Sequence, residues 1–225
     1  MNKKSWYIVI TVILCSVLMS LVDGSLQPPY FYKSCIKLAL FLGVPLIYFL
    51  IHKDEVHSIR QLFVPKKKDL VFSLILGCAV FFVIMIAFFA LSRFIDFSVI
   101  IQSLMTSAQV DANNFWMVAL YISFVNSLLE EFFFRGYAFI LLKNKTNKMF
   151  AYILSAGLFA FYHAGMTMGW FNIGLYLLMM IGLFVGGCLF NYLNERCENI
   201  YPSWLVHMFA NFAINTIGCI LFGII

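Results

Sequence analysis

Apolar residues in this chain neither alternate in twos nor keep to one helical stripe; they run on unbroken. Seven runs lie at about 5–22, 33–51, 70–92, 114–142, 149–168, 171–193 and 201–224. Each is close to the roughly 20 residues that a helix needs to cross a hydrocarbon core. Polar residues collect in short segments between the runs, which predicts one bundle of neighbouring helices. The stretch RFIDFSVIIQSLMTSAQVDAN (93–113) mixes charged with apolar positions and reads as an interfacial helix, with a short extra span as the alternative. The expected fold class is all-α: a polytopic transmembrane helix bundle of about seven spans, or eight. No soluble domain, low-complexity tract or internal repeat is visible.

Composition agrees with this pattern and removes the soluble alternatives. With 63% hydrophobic and 11% charged residues, and a mean hydropathy of +0.94, the chain is too apolar for a water-soluble domain. The net charge of +5 would suggest nucleic acid on a soluble protein, but these cations fall in loops between spans, so the partner is the bilayer and not nucleic acid. With the N-terminus in the cytoplasm, the internal segments hold Lys3, Lys4, Lys53, Arg60, Lys66, Lys67, Lys68, Lys143, Lys145, Lys148 and Arg196, against Lys33 and Arg93 outside. That asymmetry, with seven spans, puts the C-terminus outside a cell membrane. No small-x-small cleavage site follows the first run before Asp23 and Gly24, so it is expected to be a retained helix. Six scattered cysteines, with no CxxC pair, suggest neither a disulfide framework nor a zinc finger. Gly182, Gly186 and Gly187 are expected to permit close helix packing, or to leave room for a substrate strand.

Candidate chemistry lies in the few polar residues at membrane depth, where an ionisable side chain costs at least about 2.5–3.5 kcal/mol and so marks a functional pathway. They are Glu130, Glu131 and Arg135 in LLEEFFFRG, His163 in FAFYH and His207 in HMFAN. Helical spacing pairs Glu131 with Arg135 and leaves Glu130 free, about 100° round the helix. The same spacing puts Phe159 with His163, and His207 with Asn211. At about 1.5 Å per residue, Glu130, His163, His207 and Asn211 lie about 9–21 Å from the cytoplasmic ends of their runs, so they can share one cavity. A carboxylate and an imidazole there can activate water, while a second imidazole and an amide can donate to an oxyanion. Glu130, His163 and His207 equally make a donor set for a divalent metal such as Zn2+, assembled from three helices in the absence of HExxH. Taken singly, each feature also has a plain structural reading as an ion pair, interhelical glue or a core histidine.

In order and membrane context, EEFFFRG, FAFYH and HMFAN resemble the EExxxR, FxxxH and HxxxN motifs of the CAAX protease and bacteriocin-processing (CPBP, or Abi) family of intramembrane proteases. The resemblance divides the chain into N-terminal transmembrane helices with the interfacial segment (1–113) and a CPBP-like catalytic helical core (114–225). It implies that Glu130 and His163 activate the water, that His207 and Asn211 hold the oxyanion, and that Glu131 and Arg135 brace the site. It leaves glutamate-dependent and metal-dependent hydrolysis both open. The implied substrate is a membrane-associated protein or peptide, and the implied setting is a bacterial plasma membrane, with roles in peptide or bacteriocin processing, immunity or regulation. A membrane regulatory protein that binds a partner without cleaving it, and a transporter relaying protons through Glu130, His163 and His207, are the readings from other classes.

Overall fold

The computed structural model describes residues 1–225 as helices joined by short connections, with no strand. In chain order they are α1 (Lys3–Leu26), α2 (Tyr30–Ile51), α3 (Val56–Gln61), α4 (Lys67–Phe94), α5 (Ser98–Thr106), α6 (Phe115–Lys143), α7 (Lys148–Thr167), α8 (Ile173–Cys197) and α9 (Tyr201–Leu221). All but α3 and α5 are long and apolar enough to span a membrane, which gives seven spans at the places the apolar runs predict. At roughly 1.5 Å per residue, α5 reaches less than half a bilayer core, so 93–113 holds no eighth span. The segment instead folds back on the α1–α2 connection, where the Tyr30 amide donates to the Ala108 carbonyl at 3.0 Å.

Local chemistry sets the helix ends. Asn2, Asn147 and Asn172 cap α1, α7 and α8 by accepting amide hydrogens of the first turn, which would otherwise lack partners. Gln27 in the left-handed region and then Pro28 and Pro29 stop α1 and turn the chain into α2.

α6 is the central helix, touching α1, α2, α7, α8 and α9. Half of its apolar window is buried, against 6% for α4, which packs along α9 and turns the rest of its surface outward. Small residues let helices meet closely. A methyl group at Gly165 would lie 2.0 Å from the Ser20 carbonyl oxygen of α1, and one at Gly187 would lie 3.0 Å from Ala156 of α7. Of Gly182, Gly186 and Gly187, only Gly187 serves packing. Gly182 and Gly186 meet nothing within 4 Å, because the face they share points away from the bundle.

The winding of α6 is not uniform. Tyr121–Asn126 and Glu131–Ile140 are wound with i→i+5 hydrogen bonds, a wide geometry that is rare and frequent at functional sites. The run Glu131–Ile140 contains most of the EExxxR stretch, so the ordinary helical period used to separate Glu130 from Glu131 does not carry through it.

One end of the bundle gathers most of the loop charge. Lys4 pairs with Asp54 and lies 3.4 Å from Glu55, Lys145 is 2.7 Å from Glu55, and Lys143 and Lys148 flank Glu195 at 3.6 and 2.8 Å. The Lys4 ammonium holds the Asp54 carboxyl below the usual carboxylate range. The N-terminus and the connections near residues 52–66, 144–147 and 196–200 thus share one side, as an odd–even alternation of seven spans requires.

Candidate active site

The middle of α6 is enclosed by aromatic rings. Phe133, Phe134 and Tyr137 of α6 are fully buried, and Phe133 stacks on Phe41 of α2 at 4.2 Å between centroids. Into this apolar shell α6 projects Glu130, Glu131 and Arg135, of which the last two are 0% exposed. Arg135 Nη1 lies 3.3 Å from Glu131 Oε1, the pairing expected from the spacing. The guanidinium is also clamped between rings, with Cζ 4.2 Å from the Phe159 centroid and 4.9 Å from that of Phe190. Two rings from two helices therefore fix the plane of the cation, and Glu131 fixes its charge.

His207 of α9 closes the gap between the two carboxylates. Its Nδ1 is 2.9 Å from Glu131 Oε1, and its Nε2 is 3.7 Å from Glu130 Oε2. The imidazole lies nearly parallel to Phe190, at 5.1 Å and 19°. An ionised carboxylate only accepts, so Nδ1 carries the proton donated to Glu131. Protonated, His207 also donates from Nε2 into the space before Glu130; neutral, it offers a lone pair there.

His163 and His207 both meet the Phe159 ring edge-on, at 4.9 and 5.8 Å between centroids. His163 Nδ1 lies 2.7 Å from the Phe159 carbonyl one turn back. A carbonyl oxygen only accepts, so Nδ1 is the donor and Nε2 keeps a free lone pair in the neutral ring. Asn211, one turn beyond His207, donates from Nδ2 to the Ile122 carbonyl of α6 at 3.2 Å, which commits one of its two amide hydrogens to holding α9 on α6.

The structure thus brings Glu130, Glu131, Arg135 and His207 into one contact group, with His163 joined to His207 through the Phe159 ring that both touch. It corrects the expectation for Glu130. That carboxylate is not free: Oε1 accepts from Lys37 Nζ at 2.6 Å and from Asn126 Nδ2 at 2.5 Å. Lys37, in α2, is 8% exposed and also donates to Asn126 Oδ1 at 2.7 Å and to Tyr162 OH at 3.3 Å. Spacing within α6 could not show a partner from another helix. A signal did exist, since Lys37 is an ionisable residue inside the second apolar run and should have been weighed with the others. Asn126, one turn before Glu130, carried the same kind of signal.

The donor set considered for a metal does not fit one in this arrangement. Glu130, His163 and His207 are not gathered as a ligating group of three, and an ammonium occupies the Glu130 oxygen on one side. The donors that remain open are Glu130 Oε2, which has no hydrogen-bond partner, and the two Nε2 atoms of His163 and His207. A carboxylate oxygen and imidazole nitrogens without hydrogen-bond partners can take a proton from water and return it to a leaving group.

No curated protein and no solved structure matches the chain. Residues 112–213, a little under half of its length, match the family described as Type II CAAX prenyl endopeptidase Rce1-like. Glu130, Glu131, Arg135, His163, His207 and Asn211 all fall inside that segment. The motif-bearing part of this multi-pass membrane protein is therefore similar to the family described as Type II CAAX prenyl endopeptidase Rce1-like.

Proposed function

We propose that this protein hydrolyses a peptide bond of a membrane-associated protein or peptide inside the bundle, with water activated by Glu130 and His163. The observation that carries the reading is the asymmetric Glu130 carboxylate. Its Oε1 is held by two donors, while Oε2 has no partner and faces His207 Nε2 at 3.7 Å. Water entering there loses a proton to Glu130 Oε2 or His163 Nε2 as its oxygen attacks the scissile carbonyl. The C–N bond then breaks as that proton passes to the leaving amine, so the carboxylate and imidazole end as they began. His207, protonated, and the second amide hydrogen of Asn211 donate to the oxygen on which charge develops. Glu131 and Arg135 hold His207 from behind. No metal ion enters any step, in keeping with the ammonium on Glu130.

The substrates we favour are bacterial membrane peptides, in processing, bacteriocin immunity or regulation, with the N-terminus of the protease in the cytoplasm. Comparative peptidomics of cells carrying wild-type protein or Glu130→Gln tests this. Released membrane peptides that vanish with Glu130→Gln, and also with His163→Ala, while both variants accumulate in the membrane, are the expected result. Identical peptide profiles for wild type and both variants would remove the hydrolase reading.

A further inference from the structure

Lys37 lies outside the segment 112–213 that matches the protease family, and no motif includes it. Its side chain nevertheless crosses from α2 to the reacting carboxylate. Three contacts converge on the ammonium: Glu130 Oε1 at 2.6 Å, Asn126 Oδ1 at 2.7 Å and Tyr162 OH at 3.3 Å. It also sits 4.8 Å above the Tyr162 ring, an aromatic face that favours a cation. Asn126 closes a triangle, accepting from Lys37 through Oδ1 and donating to Glu130 Oε1 through Nδ2 at 2.5 Å. One oxygen of Glu130 is therefore saturated by two donors, and the other is left with none.

A carboxylate can turn about its terminal torsion, which is broad and roughly two-fold. Fixing Oε1 from α2 removes that freedom and keeps Oε2 toward His207. The next lysine up the same face of α2, Lys33, is engaged elsewhere, with Nζ 2.7 Å from Asp23 Oδ1, so the two cations of α2 are sorted to two different acids. Both donors fall on one oxygen, and the other is the one that faces His207.

We infer that Lys37, with Asn126, is a positioning residue for hydrolysis, pinning Glu130 Oε1 so that Oε2 is presented to the attacking water. This rests on the proposed role of Glu130 and adds to the site a residue from the N-terminal helices. Its consequence is that α2 belongs to the working site and is more than a scaffold for α6.

The test uses full-length protein in detergent and a fluorophore–quencher version of a peptide whose release depends on Glu130 in cells. Lys37→Met should lower kcat at least about tenfold with KM within twofold, because binding is untouched and orientation is lost. Lys37→Arg, which keeps a donor at the carboxylate, should restore a substantial part of that loss. Should Lys37→Met fail to accumulate, Asn126→Leu removes the second donor to the same oxygen and should likewise lower kcat without a KM change. Wild-type kcat in Lys37→Met, or a loss confined to KM, overturns the inference. Glu130→Gln measured alongside separates the two claims. Activity retained there defeats the role of Glu130 itself, whereas an inactive Glu130→Gln beside a fully active Lys37→Met defeats only the positioning role.

Discussion

Arg135 and Asn211 differ in how far each is bound to the fold and, in the proposed reaction, to the chemistry. Arg135 is fully enclosed, faced by two phenyl rings and charged against Glu131. Arg135→Ala would leave the Glu131 carboxylate buried beside His207 without its counter-charge, and breaking a buried pair from one side costs about 3–5 kcal/mol. A marked fall in the melting temperature of the detergent-solubilised variant is expected, and an unchanged melt would show that the pair does not brace the site. Asn211 is the reverse case. Its bond to the Ile122 carbonyl contributes about 1 kcal/mol to holding α9, while loss of an oxyanion donor costs roughly 10²–10³ in kcat. Asn211→Ala should therefore melt nearly as wild type and turn over far more slowly at similar KM; full activity would remove Asn211 from the oxyanion site. At this scale the sequence showed the i,i+4 pair of Glu131 and Arg135, since both partners sit on one helix. It did not show Lys37 on Glu130, which depends on which face of α2 meets α6, and spacing within a helix does not report that.

Helix packing turns on single atoms at a few glycines. The α1–α7 crossing leaves no room at Gly165, where an added methyl would lie 2.0 Å from a backbone oxygen that cannot swing aside. Gly165→Ala should lower expression and melting temperature by separating the two helices. Gly182→Ala and Gly186→Ala on α8 should leave melting and activity as in wild type, since nothing stands within 4 Å of either position. Equal loss from all three substitutions would mean that the exposed face of α8 is covered in the membrane. Apolar run length was enough to place all seven spans, because a bilayer sets one length for every helix that crosses it. The wide winding of Glu131–Ile140 could not be read that way, since no residue in EFFFRGYAFI breaks an ordinary helix. Its consequence is local but central: the acidic pair sits where the helical period changes, and both carboxylates reach His207 from neighbouring positions.

For the whole molecule, the arrangement is a bundle of apolar helices with α6 at its centre and most of the loop charge at one end. That end carries two groups of ion pairs, Lys4 and Lys145 with Asp54 and Glu55, and Lys143 and Lys148 with Glu195. Reporter fusions should find the N-terminus cytoplasmic and the C-terminus outside, the sense given by the excess of Lys and Arg on cytoplasmic loops. A C-terminus found inside would mean that one of the seven helices does not cross. The motif residues were legible because ionisable groups are rare at membrane depth and three motifs fell in order. Substrate identity was not, because nothing in a run of apolar residues encodes the sequence of a peptide that will lie beside it. The central claim, hydrolysis by a glutamate inside the bundle, is tested most directly by purified Glu130→Gln in detergent against a peptide that wild-type protein cleaves. A kcat lower by about 10²–10⁴ with an intact melting transition is the expected result, the contribution of a positioned general base. Cleavage of that peptide by Glu130→Gln at the wild-type rate would contradict it.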